Sequence, residues 1–293
     1  MVFYSKLHDV KRYFCGVKRI SLLLASALLI QSSVIGQSKT DSIKTRTHDI
    51  SITWGYNRAY YNTSDIHFQG EGFDFTLLDA NAIDDPEPFD VDIYLNPKRF
   101  TVPQFNFRAS YFINENTSIS GGWDHMKYVL QPNQLIRIDG YIEEGVSVEH
   151  AGEYHEELKF IEPSFIKYEH TDGFNVVRFG VERFLPLWTS KKHPLEANLY
   201  GGVSAGFMLP WTDFTFAGTR HENWLHLAGW TTSAQLGARF EWLDCLFLQA
   251  QAHYGYAALN DVILQGDTDS RASQNVVFFE RSLHVGGYIP LGR

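Results

Sequence analysis

An all-β, up-and-down antiparallel transmembrane barrel of eight strands is what three features of this 293-residue sequence predict. Segments alternate strictly between apolar and polar residues over lengths that cross a membrane. The connections between them alternate between short and long. After the N-terminal region, no apolar run approaches the roughly 18 residues that a spanning helix needs. Lipid offers no hydrogen bonds to backbone groups, so without such helices a membrane protein must close its strands into a barrel.

The clearest segment is 195–208. Leu195, Ala197, Leu199, Gly201, Val203, Ala205 and Phe207 make one face, and Glu196, Asn198, Tyr200, Gly202, Ser204 and Gly206 the other. Period two over this length marks a strand with lipid on one side and a polar lumen on the other. The same reading predicts strands at 48–61, 104–113, 118–129, about 175–187, 228–242, 246–257 and about 276–290. Short connections fall at 114–117, 188–194 and 243–245. Long ones fall at 62–103, 130–174, 209–227 and 258–275. That order puts both termini on the short-turn, periplasmic side, with long loops outside. Ten strands are the alternative count, because 66–77, 135–142 and 160–167 carry strand-like residues. Their charges and irregular alternation favour strand extensions or hairpins above the membrane. Trp54, Tyr60, Tyr61, Trp123, Tyr128, Trp188, Trp230 and Trp242 fall near strand ends, where aromatic girdles sit.

The N-terminus reads as a secretory signal. Lys6, Lys11, Arg12, Lys18 and Arg19 precede an apolar run from Ile20 to Ile30, and Val34 and Gly36 place cleavage after residue 36. Residues 37–47 read as a periplasmic lead-in and 48–293 as the barrel. Sec export and the outer membrane are the expected route and destination. The whole chain carries −9; removing 1–36 leaves 20 basic and 33 acidic residues, a charge of −13. That argues against a nucleic-acid partner. Cys15 lies in the signal, so Cys245 has no partner for a disulfide or a thiolate metal site. No cofactor or metal is expected.

These features resemble the small outer-membrane β-barrel proteins of Gram-negative bacteria, in the size class of the OmpA membrane domain, OmpX and OmpW. The Val-Ile-Gly-Gln region and aromatic-rich loops look most like barrels from Bacteroidota. The resemblance covers about 37–293 and rests on pattern. It implies outer-membrane lipid, lipopolysaccharide and the assembly machinery as partners. Such barrels usually end on an aromatic residue; this sequence ends Tyr288-Ile289-Pro290-Leu291-Gly292-Arg293, so either Tyr288 is expected to stand in or the last strand is read differently.

Arg108, Asp124, Arg178, Glu182, Glu196, Arg239, Glu241, Glu280, His253 and His284 should face the lumen. An eight-stranded interior is just filled by side chains, so mixed charges there are expected to pair and plug it. A narrow channel is the alternative. Asp124, His125 and His170 are the candidate catalytic residues if the barrel is a lipid-modifying hydrolase, since a carboxylate-oriented histidine can serve as general base. No Gly-x-Ser-x-Gly elbow accompanies them. The acidic run Asp84 to Asp92 reads as a solvated loop, with Ca²⁺ as the sharper alternative. Phe68, Phe73, Phe75, Phe89, Tyr94, Tyr141, Tyr154, Trp211, Phe214, Phe216 and Trp224 are too many aromatics for plain linkers. They should build a β cap, a binding face for a surface ligand, or both. A non-enzymatic structural or surface-binding protein is therefore the expected function, with the hydrolase and the channel as alternatives.

Overall fold

The computed structural model describes residues 46–96, 98–99, 101–266 and 269–291. The signal segment 1–36 and nearly all of the lead-in 37–47 lie outside the described residues.

Eight strands close into a ring. They are β1 (Ile50–Tyr61), β5 (Phe105–Asn114), β6 (Thr117–Leu130), β9 (Ile166–Thr189), β10 (Leu195–Pro210), β13 (Gly229–Trp242), β14 (Leu246–Ile263) and β15 (Arg271–Ile289). Each pairs antiparallel with the next, and β15 closes on β1 through a register running from Ile50↔Ile289 to Tyr61↔Phe278. The eight sequence segments are these eight strands. The extra strand-like stretches do not enter the ring, so the count is eight.

Following paired residues round the ring gives its stagger. Leu248 pairs Val285, then Trp54, Phe107, Trp123, Val177, Phe207, Trp230 and finally Ala258. The path returns to β14 ten residues above its start, from 248 to 258. For eight strands this stagger sets a tilt of about 41° and a backbone radius of about 8 Å. That is the tilt of a transmembrane barrel, with an interior just wide enough for side chains to fill.

Period two sorts the wall. Leu199, Val203, Phe207, Phe179, Val181, Leu236, Leu283 and Val285 face outward, while Arg178, Glu280, His253 and His284 point inward and are buried. Wide inward rings need room, and glycine supplies it. Tyr200 lies across the ladder from Gly237, so close that a Cβ there would meet the ring at 2.4 Å.

The long connections carry the remaining strands. These are β2 (Ser64–Gly70), β3 (Phe73–Ala80), β4 (Ala82–Ile83), β7 (Gln134–Ile142), β8 (Gly152–Ile161), β11 (Thr212–Phe216) and β12 (Thr219–Asn223), with one helical turn, α1 (Val91–Tyr94). At the long-loop end, β15 continues into β2, β3, β7 and β8, and β9 into β11 and β12. The described residues contain no helix long and apolar enough to cross a membrane.

Two girdle assignments need correction. Tyr60 faces outward, so its neighbour Tyr61 must face inward, where it packs edge-on against Tyr128. Tyr128 is likewise fully buried in the interior. Both belong to the core.

Candidate functional site: a filled lumen beneath a β cap

The interior is built in three layers. At the short-turn end Phe112, Phe184, Tyr200, Phe247 and Tyr288 form an aromatic floor. Tyr288 thus points inward. The Arg239 guanidinium lies 4.0 Å from the Phe247 ring centroid and 4.5 Å from that of Phe184. It donates to Gln249 Oε1 at 2.6 and 2.8 Å and to the Tyr288 hydroxyl at 2.8 Å. Arg46, just before β1, pairs with Glu241 at 2.5 Å and stacks on Tyr288. Arg46 was outside the predicted lumen set because it precedes the alternating segment.

The middle layer is charged. Asp124 accepts from Arg108 at 2.8 Å, from Arg178 Nε at 2.5 Å and from Asn106 at 2.8 Å. Arg178 is fully buried; its second nitrogen donates to Ser233 at 2.5 Å, and its third faces Glu280 at 3.8 Å. Glu280 accepts from Asn106 at 2.6 Å. Glu182 has no arginine; it accepts from Ser118, Ser120 and Gln235. Charges of both signs are held against one another, as buried ions require, though among the described residues the third nitrogen of Arg178 and the second carboxylate oxygen of Glu280 face each other without a hydrogen bond.

The top layer is apolar and continues into the cap. Phe174, Val176, Met208, Ala257, Leu259, Val276 and Phe278 line the upper lumen, and Phe68, Phe75, Tyr168, Phe214 and Phe216 extend the same core above it. Phe68 stacks on Phe75 at 5.3 Å and Phe214 at 5.8 Å and meets Tyr168 edge-on at 5.4 Å. The cap reading of the aromatic loops holds for Phe68, Phe73, Phe75, Phe214 and Phe216, all buried, and for Tyr154, which packs against that core, whereas Tyr94 is buried edge-on against the outward-facing Tyr56 of β1. Phe89, Tyr141 and Trp224 are exposed instead, with Trp224 stacked on Trp211 at 4.6 Å.

The three candidate catalytic residues do not converge. Asp124 and His125 are adjacent on β6, so period two sends them to opposite faces of the wall. Asp124 points into the lumen. His125 points outward, stacks on Phe105 at 5.2 Å and shares a hydrogen bond of 2.9 Å with Asn175. His170 lies opposite Tyr128, buried among Tyr128, Tyr168 and Phe174, with Thr212 at 3.2 Å. Spacing along the chain brought the first two together, but the strand period separates them.

Burial pushes the His170 imidazole pKa down to about 3. The unfolded chain takes up a proton near the ordinary value while the folded cap does not. Stability of the cap should therefore be full above about pH 6.5 and fall as pH drops toward 3. His170→Phe is expected to flatten that decline. Hydrogen exchange of β7 and β11, corrected for intrinsic rates, checks it at pH 7 and pH 4.5; equal acid sensitivity in both proteins would refute it.

The acidic run is not a bare solvated loop. Asp84 accepts from Gln104 and the Ala59 amide, Glu87 pairs with Lys127, Asp90 caps α1, and Asp92 pairs with Arg99. Among the described residues, no group of three or more His, Cys, Asp or Glu side chains is arranged to hold a metal ion.

No protein-family model matches the chain, and no curated protein matches it. Among solved structures it is similar to the outer membrane protein OprG from Pseudomonas aeruginosa, at 9% identity and a TM-score of 0.40, covering 84% of this chain and 97% of that one. It is similar to Ail, the attachment invasion locus protein of Yersinia pestis, at 13% identity and a TM-score of 0.30, covering 83% and 99%. It is also similar to the outer membrane protease OmpT from Escherichia coli, at 7% identity and a TM-score of 0.27, covering 86% and 100%. At such identities the likeness concerns the fold.

Proposed function

We propose that the protein is a non-enzymatic resident of the outer membrane, a filled barrel that anchors a rigid extracellular β cap for binding at the cell surface. The observation that carries this reading is where the large exposed apolar side chains lie. One set bands the barrel, as lipid contact demands. A second sits on the outer face of the cap, where no lipid is needed to explain it. There Leu135 pairs across the ladder with Phe160, and Leu158 lies beside them on β8; they are 63%, 49% and 67% exposed. Contiguous apolar surface on a soluble face marks an interaction site. The filled lumen supports an anchoring role over conduction, because floor, charged layer and top each occupy the bore. Outer-leaflet lipid, lipopolysaccharide and the barrel-assembly machinery are the partners this placement implies, with a surface ligand at the cap.

The test compares cells displaying the protein with cells displaying Leu135→Ser/Leu158→Ser/Phe160→Ser, both checked for the heat-dependent gel shift of a closed barrel. Retention on an octyl-bearing support is the probe. Retention several-fold lower for the variant is expected; equal retention would remove the cap face from the account. In planar bilayers the wild-type protein should show no stable conductance steps, and regular steps would replace the anchor reading with a channel.

A further inference from the structure

The outer wall holds two arginines where lipid-facing apolar residues should be. Arg58 on β1 and Arg281 on β15 are direct cross-strand partners. Their neighbours Asn57, Ala59, Glu280 and Ser282 are buried toward the lumen, so both arginines stand on the outward face. On that face they are flanked by Tyr56 and Tyr60, by Phe279 and Leu283, and by Ala252 of β14, and Tyr94 of α1, packed edge-on against Tyr56, covers part of Arg58. Directly opposed residues have Cβ atoms about 5 Å apart, and like charges there repel.

Protein groups neutralise the pair only in part. Among the described residues, neither guanidinium has a carboxylate within ion-pair distance. Arg58 donates to the Asn57 carbonyl at 2.7 Å and to the Tyr94 hydroxyl at 2.9 Å, both neutral. Arg281 lies over the Tyr60 ring, 5.4 Å from its centroid, and has no hydrogen-bond acceptor among the described residues. Asp84 attracts Arg58 from beyond ion-pair distance, while its oxygens accept hydrogen bonds from Gln104 and the Ala59 amide. Glu280 points into the lumen.

Height explains what the pair meets. Arg58 stands eight residues above Ile50, and Arg281 eight above Ile289 on the partner strand. At about 2.5 Å of rise per tilted residue, both lie ~20 Å above the lower edge of an apolar band roughly 25 Å tall. Tyr60 and Phe279, one outward step higher, mark the interface. Long arginine side chains at this depth reach the headgroup layer. Two adjacent guanidiniums suit a phosphate, and a doubly charged phosphomonoester better than a singly charged phosphodiester.

We propose that Arg58 and Arg281 form a lipid-facing site for the phosphomonoester of an outer-leaflet lipid of the lipid A type. The leaflet assignment rests on the outward orientation of the cap argued above; the site itself does not. Bound phosphate cancels the repulsion between the two arginines and ties one lipid to the β1–β15 seam, where the ring closes.

Native mass spectrometry of the full chain in detergent tests this with three probes: bisphosphorylated lipid A, phosphatidylglycerol and inorganic phosphate. The wild-type protein is expected to hold lipid A at least tenfold more tightly than phosphatidylglycerol. Arg58→Gln/Arg281→Gln should lose that preference while keeping its heat-dependent gel shift, and Arg58→Lys/Arg281→Lys should retain part of it. Equal lipid A binding by wild type and the glutamine variant would overturn the site. Equal wild-type affinity for phosphatidylglycerol would overturn the phosphomonoester assignment, and displacement of lipid A by equimolar inorganic phosphate would overturn the lipid one. Detergent has no leaflets, so a failure here indicts the arginines and leaves the cap orientation standing. Retention of the glutamine variant on the octyl support should be unchanged, which separates this site from the cap face.

Discussion

Asp124→Leu is expected to cost about 3–5 kcal/mol of barrel stability, the usual penalty for leaving buried charges uncompensated. Asp124 accepts from both Arg108 and Arg178. Its removal leaves two fully desolvated guanidiniums in the middle of the lumen. Glu280, 3.8 Å from Arg178, has Asn106 as its nearest donor and does not reach far enough to serve both. Asp124→Asn keeps the shape and some acceptor capacity, so it should fall between leucine and wild type. Adding Arg178→Met to Asp124→Leu should recover part of the loss, because it removes the fully buried guanidinium that Asp124 had paired and leaves Arg108 with Glu182 and Glu280. The double variant is therefore expected to be less destabilised than the two single variants summed. Urea midpoints followed by tryptophan fluorescence in lipid vesicles measure all five proteins, Arg178→Met alone included. A leucine variant within about 1 kcal/mol of wild type would show that water or ions enter the layer and screen it.

The ring was legible in the sequence because two independent physical constraints coincide in it. Lipid outside and polar lumen inside impose period two, and Leu195 to Met208 satisfies it without a break. Short turns at one end then fix which ends of neighbouring strands meet. The cap was less legible for the same reason reversed. In β8, the run His155-Glu156-Glu157 breaks the alternation between Tyr154 and Leu158, and the strand lies at a sheet edge with most residues exposed. Such a segment carries no periodic signal. Part of the candidate site's geometry was already contained in the sequence. Asp124 and His125 cannot share a face, and Tyr60 and Tyr61 cannot both join a girdle, once they are placed on strands. What no periodicity shows is who meets whom across the bore. Arg46 finding Glu241, and Arg178 finding Ser233, follow from the stagger of ten residues, which is a property of the closed ring. The same stagger brings Arg58 opposite Arg281.

Phe68→Ala is expected to open the cap and leave the ring closed. Phe68 is fully buried and touches Phe75, Tyr168 and Phe214, so its removal joins β2, β3, β9 and β11 around a cavity. Phenylalanine-to-alanine changes of this kind cost about 3–5 kcal/mol. The cap has little with which to absorb that loss. Its two sheets are tied to the ring through four residue pairs each, Gln274↔Ile66 to Arg271↔Gln69 on one side and Asp213↔Glu169 to Phe216↔Ile166 on the other. The ring, in contrast, has no free edge, and every one of its strands is paired on both sides through the membrane band. Hydrogen exchange should therefore show lost protection at 64–80 and 134–161 and retained protection at 230–242 and 246–256. The apolar core runs without interruption from Phe68 through Tyr168 and Tyr128 to Phe174 and Phe278. Exchange should consequently rise at 168–174 as well, and stop where the charged layer begins at Arg178. Protection lost equally across β13 and β14 would instead make cap and ring one cooperative unit, with the cap contributing directly to the stability of the barrel.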